Sequence, residues 1–117
     1  MVIVAWTKRN KFNAVSCTYN GNIYHSRAEA GYAAELDLRL KAKDIASWER
    51  QQRIDLKAYG KHMAYYYIDF VVTHNDGSIE YVEVKGLQTP LWRLKWKLFV
   101  AQMEETEPDA TLTIKWV

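Results

Sequence analysis

Hydrophobic and polar positions alternate most regularly between His62 and Lys85. From His62 to Thr73, and again from Ser78 to Lys85, β-branched and aromatic residues recur with period two, which predicts two strands. Asn75, Asp76 and Gly77 between them predict a hairpin. A run from Trp48 to Tyr59 predicts a preceding strand, with Tyr59, Gly60 and Lys61 as its turn. From Ser26 to Lys43 the pattern changes to an Ala- and Leu-rich helix, opened by Ser26 as N-cap with Glu29 three residues later. Thr89 as N-cap with Pro90 at the first helical position predicts a second helix, which Pro108 helps to end. Thr111 to Trp116 reads as a last strand, and Asn20-Gly21 as the turn of a short early hairpin. Three antiparallel strands that cross through a helix to a further strand predict an α/β fold around a mixed sheet.

The hairpin register governs the chemistry. Side chains alternate faces along a strand, so Tyr65, Tyr67, Asp69 and Val71 share one side of theirs, and Ile79, Tyr81, Glu83 and Lys85 one side of the next. A two-residue Asp76-Gly77 turn sets Asp69 opposite Val84, with the two acids on opposite faces. A three-residue loop, with Gly77 supplying the left-handed conformation, sets Asp69 opposite Glu83. The three-residue loop is predicted. Two carboxylates so placed, with the Lys85 ammonium nearby, suit a hard divalent cation. The same pattern also describes a solvated sheet face. Against that, Val82 and Val84 are expected to share the second face with Ile68 and Phe70, while the acid-bearing face also carries Tyr67, Val71 and Tyr81. Apolar residues on both faces predict a sheet covered on both sides, where acids need a cation or a hydrogen-bond donor.

Glu29 has two readings, as the acid of the capping box or as a third carboxylate. At about 100° per residue it lines up with Ala33, Leu36 and Leu40. It is therefore read as directed inward, toward the sheet and the other two acids.

A chain of 117 residues with 49% hydrophobic composition predicts one domain, residues 1–117, with a basic N-terminal arm over about residues 1–14. No apolar run approaches the roughly 20 residues of a membrane span, and the N-terminal apolar segment is too short for a signal sequence. The expectation is a cytoplasmic protein. The single cysteine, Cys17, rules out an internal disulfide and reads as a small core or edge residue. His25, His62 and His74 lack zinc-ligand spacing and read as surface or loop residues. The net charge of +2 argues little, whereas its distribution says more. Lys8, Arg9 and Lys11 cluster in the arm, and Arg93, Lys95 and Lys97 in the last helix, where they are either solvated or neutralised by phosphates. On a helical projection Leu91, Lys95, Phe99 and Gln102 share the apolar side; Arg93 and Lys97 point away, and Lys95 either snorkels or reaches toward the site that Lys85 serves. Trp92 and Trp96, one turn apart, fit core packing or a subunit interface better than base stacking.

Taken in order, several blocks resemble the PD-(D/E)XK nuclease superfamily, and more narrowly its small phage-encoded members related to Holliday junction resolvases. They are Lys8 to Phe12, Ser26 to Glu29, Glu49 to Gln51, Asp69, Glu83 to Gly86, and Thr89-Pro90 with Leu94 to Phe99. Ile68 stands where the superfamily's name has Pro. The resemblance implies a restriction-endonuclease-like core in the order α-β-β-β-α-β. It implies metal-dependent hydrolysis of phosphodiester bonds in DNA, branched DNA such as four-way junctions above all, by a homodimer in the cytoplasm of a host cell. Its site residues fall on Glu29, Asp69, Glu83 and Lys85. Asp69, Glu83 and the Val84 carbonyl would bind one Mg²⁺ or Mn²⁺, with Glu29 completing that site or helping to hold a second ion. Lys85 would orient the attacking water or stabilise the phosphate. Gln51 is either a group that polarises the phosphate or positions water, or an ordinary polar strand residue. Gly86 is either a point of close backbone approach to metal or phosphate or a turn glycine. Two alternatives stand beside the resolvase: a nicking or restriction-type endonuclease indifferent to branching, and a DNA-binding accessory protein with a vestigial site.

Overall fold

The computed structural model describes the backbone of residues 4–9 and 15–117 and side chains from residue 16 onward. The chain divides into two compact units, Met1–Asp44 and Ile45–Val117.

In the first unit, strands β1 (Val4–Arg9), β2 (Val15–Tyr19) and β3 (Asn22–Tyr24) form an antiparallel sheet in that order, followed by helix α1 (Arg27–Lys41). Asn20 and Gly21, with φ of 50° and 81°, make the tight turn joining β2 to β3. The segment read from sequence as a basic arm thus contains a paired strand. Lys8 and Arg9 lie in β1, and their side chains, with all of Lys11, fall outside the described residues. Helix α1 starts where its signals place it, with Ser26 Oγ accepting the Glu29 N–H at 3.1 Å. Ala30, Ala33 and Leu36 are buried, and so is Glu29, which continues the stripe as expected. Leu40, placed on the same stripe from sequence, is exposed in the last turn, beyond the buried length of the helix. Cys17 is a free, buried thiol.

The second unit is a four-stranded mixed sheet, β4 (Ile45–Ala58), β5 (Lys61–His74), β6 (Ile79–Lys85) and β7 (Thr111–Trp116), with helix α2 (Pro90–Thr106) between β6 and β7. Strands β4, β5 and β6 are antiparallel neighbours, and β7 lies parallel to β6. A parallel neighbour needs a crossover, and α2 supplies it, capped at its start by Thr89 Oγ1, which accepts the Trp92 N–H at 3.1 Å. Tyr66, Ile68 and Tyr81 pack with Phe99, Trp92 and Met103 of α2. Phe70, Val72 and Val82 are buried outside that cluster. The two helices and the mixed sheet give the α/β class expected from sequence.

The β5–β6 loop has three residues, Asn75 to Gly77. His74 and Ser78 close it, with the His74 N–H donating to Ser78 O and the Gly77 N–H to His74 O, both at 2.9 Å, and Gly77 has φ of 87°. An alanine there is strained in the left-handed region. Gly77→Ala is expected to lower stability by about 1–2 kcal/mol, read as a drop in the urea midpoint at unchanged slope; an unchanged midpoint would show that the loop tolerates another geometry.

Candidate active site

Residue pairing between β5 and β6 runs from Thr73 with Ile79 to Phe70 with Val82. One further step in that register sets Asp69 across from Glu83, the arrangement that the three-residue loop requires. There the strands part. Asp69 Oδ2 accepts the Val84 N–H at 2.9 Å, so the side chain takes the place of a strand-to-strand backbone bond. In an extended strand the N–H and C=O of one residue face the same neighbour. The Val84 carbonyl therefore also faces β5, on the side of Asp69.

Across β4, Arg50 pairs with Phe70 and Gln52 with Ile68, which leaves Gln51 opposite Asp69. Gln51 has φ of 49°, the left-handed region that a residue with a Cβ adopts at a cost of about 1–3 kcal/mol, and such strain gathers at functional sites. The alternation breaks at the same level. Ile68 belongs to the cluster under α2 and Val71 packs against it, although strict alternation would set residues three apart on opposite faces. Two expectations are corrected here. Ile68 does not share the face of Phe70, and Tyr67, expected on a covered face, is 56% exposed. Gln51 lies in β4, opposite this reversal of β5, and a glutamine gives no sequence signal of a left-handed backbone.

Glu83 is 4% exposed. Its Oε2 accepts the indole N–H of Trp92 at 2.7 Å, while its Oε1 is buried without a hydrogen-bond partner. The Lys85 ammonium lies 4.0 Å from Glu83 Oε2 and 4.7 Å from the centre of the Trp92 ring. Burial, and then the negative charge of Asp69, push the Glu83 carboxyl up from 4.5 to about 7, against the opposing pull of the Trp92 hydrogen bond and Lys85. The Tyr66 hydroxyl is also pushed up, by burial and by the Glu83 charge, and stays protonated beside the acid. A buried carboxylate with an unused oxygen, beside a half-buried second acid whose charge it feels, forms a site that a hard cation fits: it would satisfy Oε1 and remove the repulsion.

The remaining sequence candidates lie elsewhere in the chain. Glu29 belongs to the first unit, buried in the first turn of α1. Among the described residues no three or more His, Cys, Asp and Glu side chains gather into a metal-binding group, so the site in the second unit is a pair of carboxylates. Arg93 and Lys97 are exposed on α2, as the projection indicates. Lys95 reaches the hairpin rather than the acids, its Nζ donating to the Tyr65 carbonyl at 3.0 Å. Gln102 binds the same hairpin, through Asp55 O and the Lys57 N–H, both at 2.9 Å. Leu91, placed on the apolar side from sequence, is 62% exposed. The close approach that Gly86 permits is made by Val117, whose Cγ2 would lie 3.3 Å from a Cβ at that position. His74 pairs with Glu80 at 2.9 Å, and His62 with Asp55.

Sequence reasoning missed Trp92 and Tyr66 as parts of this site. The signal for Trp92 was present: Trp92, Trp96, Phe99 and Met103 are spaced by four, three and four, and that stripe is the one α2 turns to the core.

The second unit is therefore a mixed α/β sheet that holds a buried carboxylate, Glu83, beside the half-buried Asp69 and an ammonium, at the point where two strands part. The chain belongs to the family described as a protein of unknown function (DUF1064), which its residues 9–116 match. No curated protein and no solved structure matches it. Among the described residues, no helix is long and apolar enough to cross a membrane.

Proposed function

We propose that the chain is a divalent-metal-dependent DNA endonuclease with a restriction-endonuclease-like core, acting on branched DNA as a homodimer. The observation that carries this reading is the buried Glu83 carboxylate, its Oε1 unpartnered, beside the half-buried Asp69 and with Lys85 at its side. The resemblance of the same residues to the PD-(D/E)XK pattern supports it.

Asp69, Glu83 and the Val84 carbonyl would hold Mg²⁺ or Mn²⁺. Bound there, such an ion supplies Lewis acidity, lowering the pKa of water and offsetting charge on the phosphate. Lys85, whose ammonium lies beside Glu83 and over the Trp92 ring, would bring a positive charge to the phosphate as its negative charge grows. Gln51, in a strained conformation opposite Asp69, would orient water or a phosphate oxygen. Arg93 and Lys97 on α2, with Lys8, Arg9 and Lys11 near the N-terminus, are proposed phosphate contacts. Resolution of a junction needs two opposed cuts, which a symmetric dimer with two sites provides.

The test compares a labelled four-way DNA junction with a linear duplex of matched sequence, under Mg²⁺, Mn²⁺ or chelator, for wild type and Lys85→Ala. Paired nicks in the junction alone, dependent on metal and absent from the variant, are expected. Cutting of both substrates would keep the nuclease and remove the preference for branching. Tight junction binding without any cutting would leave the accessory-protein reading.

A further inference from the structure

We propose that Trp92 is the positioning residue of the carboxylate site: its indole N–H holds Glu83 Oε2 and its ring seats Lys85, so that Oε1 is the oxygen presented to a cation. The inference rests on the metal-binding reading above. Nothing in the PD-(D/E)XK pattern assigns this tryptophan.

Two contacts argue for it. A buried indole N–H needs some acceptor, and a backbone carbonyl commonly serves. Here the acceptor is a buried carboxylate, at the short 2.7 Å of a charge-assisted bond. The face of the same ring lies 4.7 Å from the Lys85 ammonium, so one side chain touches both charged partners. Its own placement is firm. Thr89 caps the Trp92 N–H and Pro90 starts the helix. The start of α2 thereby fixes the rotation of the Glu83 carboxylate. Without the indole N–H that carboxylate is free to rotate, and the cost appears in cation affinity, since partners that orient metal ligands are worth about 10–100-fold.

Trp92→Phe keeps an aromatic ring and removes the donor; Trp96→Phe is the control for packing. Mn²⁺ affinity is read from the free-ion paramagnetic resonance signal, with no substrate present. Wild type is expected to bind Mn²⁺, Trp96→Phe to bind it equally, and Trp92→Phe to bind it about 10–100-fold more weakly. Mg²⁺ is also expected to change tryptophan fluorescence in wild type and Trp96→Phe but not in Trp92→Phe, a signature that loss of packing alone would not produce. Equal Mn²⁺ affinity in wild type and Trp92→Phe would overturn the positioning role and leave the metal site standing. Failure of wild type to bind Mn²⁺ would overturn the metal site and the positioning role together. Should Trp92→Phe not fold, the indole N–H resonances of wild type decide: that of Trp92, hydrogen-bonded to Glu83, is expected to shift with Mg²⁺, and its failure to shift while Mn²⁺ binds would overturn the role.

Discussion

Asp69→Asn is expected to lose cleavage on the order of a thousandfold or more while keeping fold and DNA binding. The asparagine Oδ1 still accepts the Val84 N–H that Asp69 Oδ2 accepts at 2.9 Å, so the parting of β5 and β6 survives the change. The negative charge on the cation does not survive it. Lys85→Ala removes the other charge, and the same outcome is expected: unchanged circular dichroism and junction affinity, with single-turnover cleavage reduced to background. Cleavage at the wild-type rate in either variant, from preparations free of contaminating nuclease, would remove the assignment of these residues.

Glu83→Gln is expected to act in opposite directions on metal-free stability and on metal binding. The Glu83 carboxyl has a folded pKa of about 7 against 4.5 ordinarily, so the folded state favours its protonated form. The sign follows directly: burying the ion costs nothing below about pH 4.5, the cost grows through the interval, and it is complete above about pH 7. At about 1.4 kcal/mol per pKa unit the cost at pH 8 is at most about 3 kcal/mol, and structural relaxation reduces it. Glutamine carries no charge, still accepts from the Trp92 N–H, and offers its amide to Asp69. With chelator at pH 8, Glu83→Gln should melt several degrees above wild type, the difference shrinking toward pH 5. Added Mg²⁺ should raise the wild-type melting temperature and leave that of the variant unchanged. A metal-free variant less stable than wild type at pH 8 would show that the carboxylate is well solvated or already paired, contrary to this account.

Much of the site was legible because one glycine settles the register. Gly77 allows a three-residue loop, and from that loop the opposition of Asp69 and Glu83 follows by counting. The caps at Ser26 and Thr89 were equally plain, since each depends on a residue type with a local hydrogen bond to make. What stayed hidden depends on tertiary packing. The left-handed Gln51 leaves no mark in the sequence, and neither does the reversal of β5 across from it that puts Ile68 under α2. The role of Trp92 depended on choosing between two overlapping stripes on α2, one through Leu91 and one through Trp92, and only packing against Tyr66, Tyr81 and Ile68 distinguishes them. The pairing of residues 4–9 with β2 was obscured by Lys8 and Arg9, whose charge suggested an arm where the backbone forms a strand.

A cation site formed by Asp69 and Glu83 is open to direct observation. Its most direct measurement is the anomalous-difference density of crystals grown or soaked with Mn²⁺. A peak touching Asp69 and Glu83 Oε1 is expected, with Trp92 still bound to Oε2, and it is expected to disappear in Asp69→Asn. Well-ordered acids with no peak between them, at Mn²⁺ concentrations that saturate the protein in solution, would contradict it.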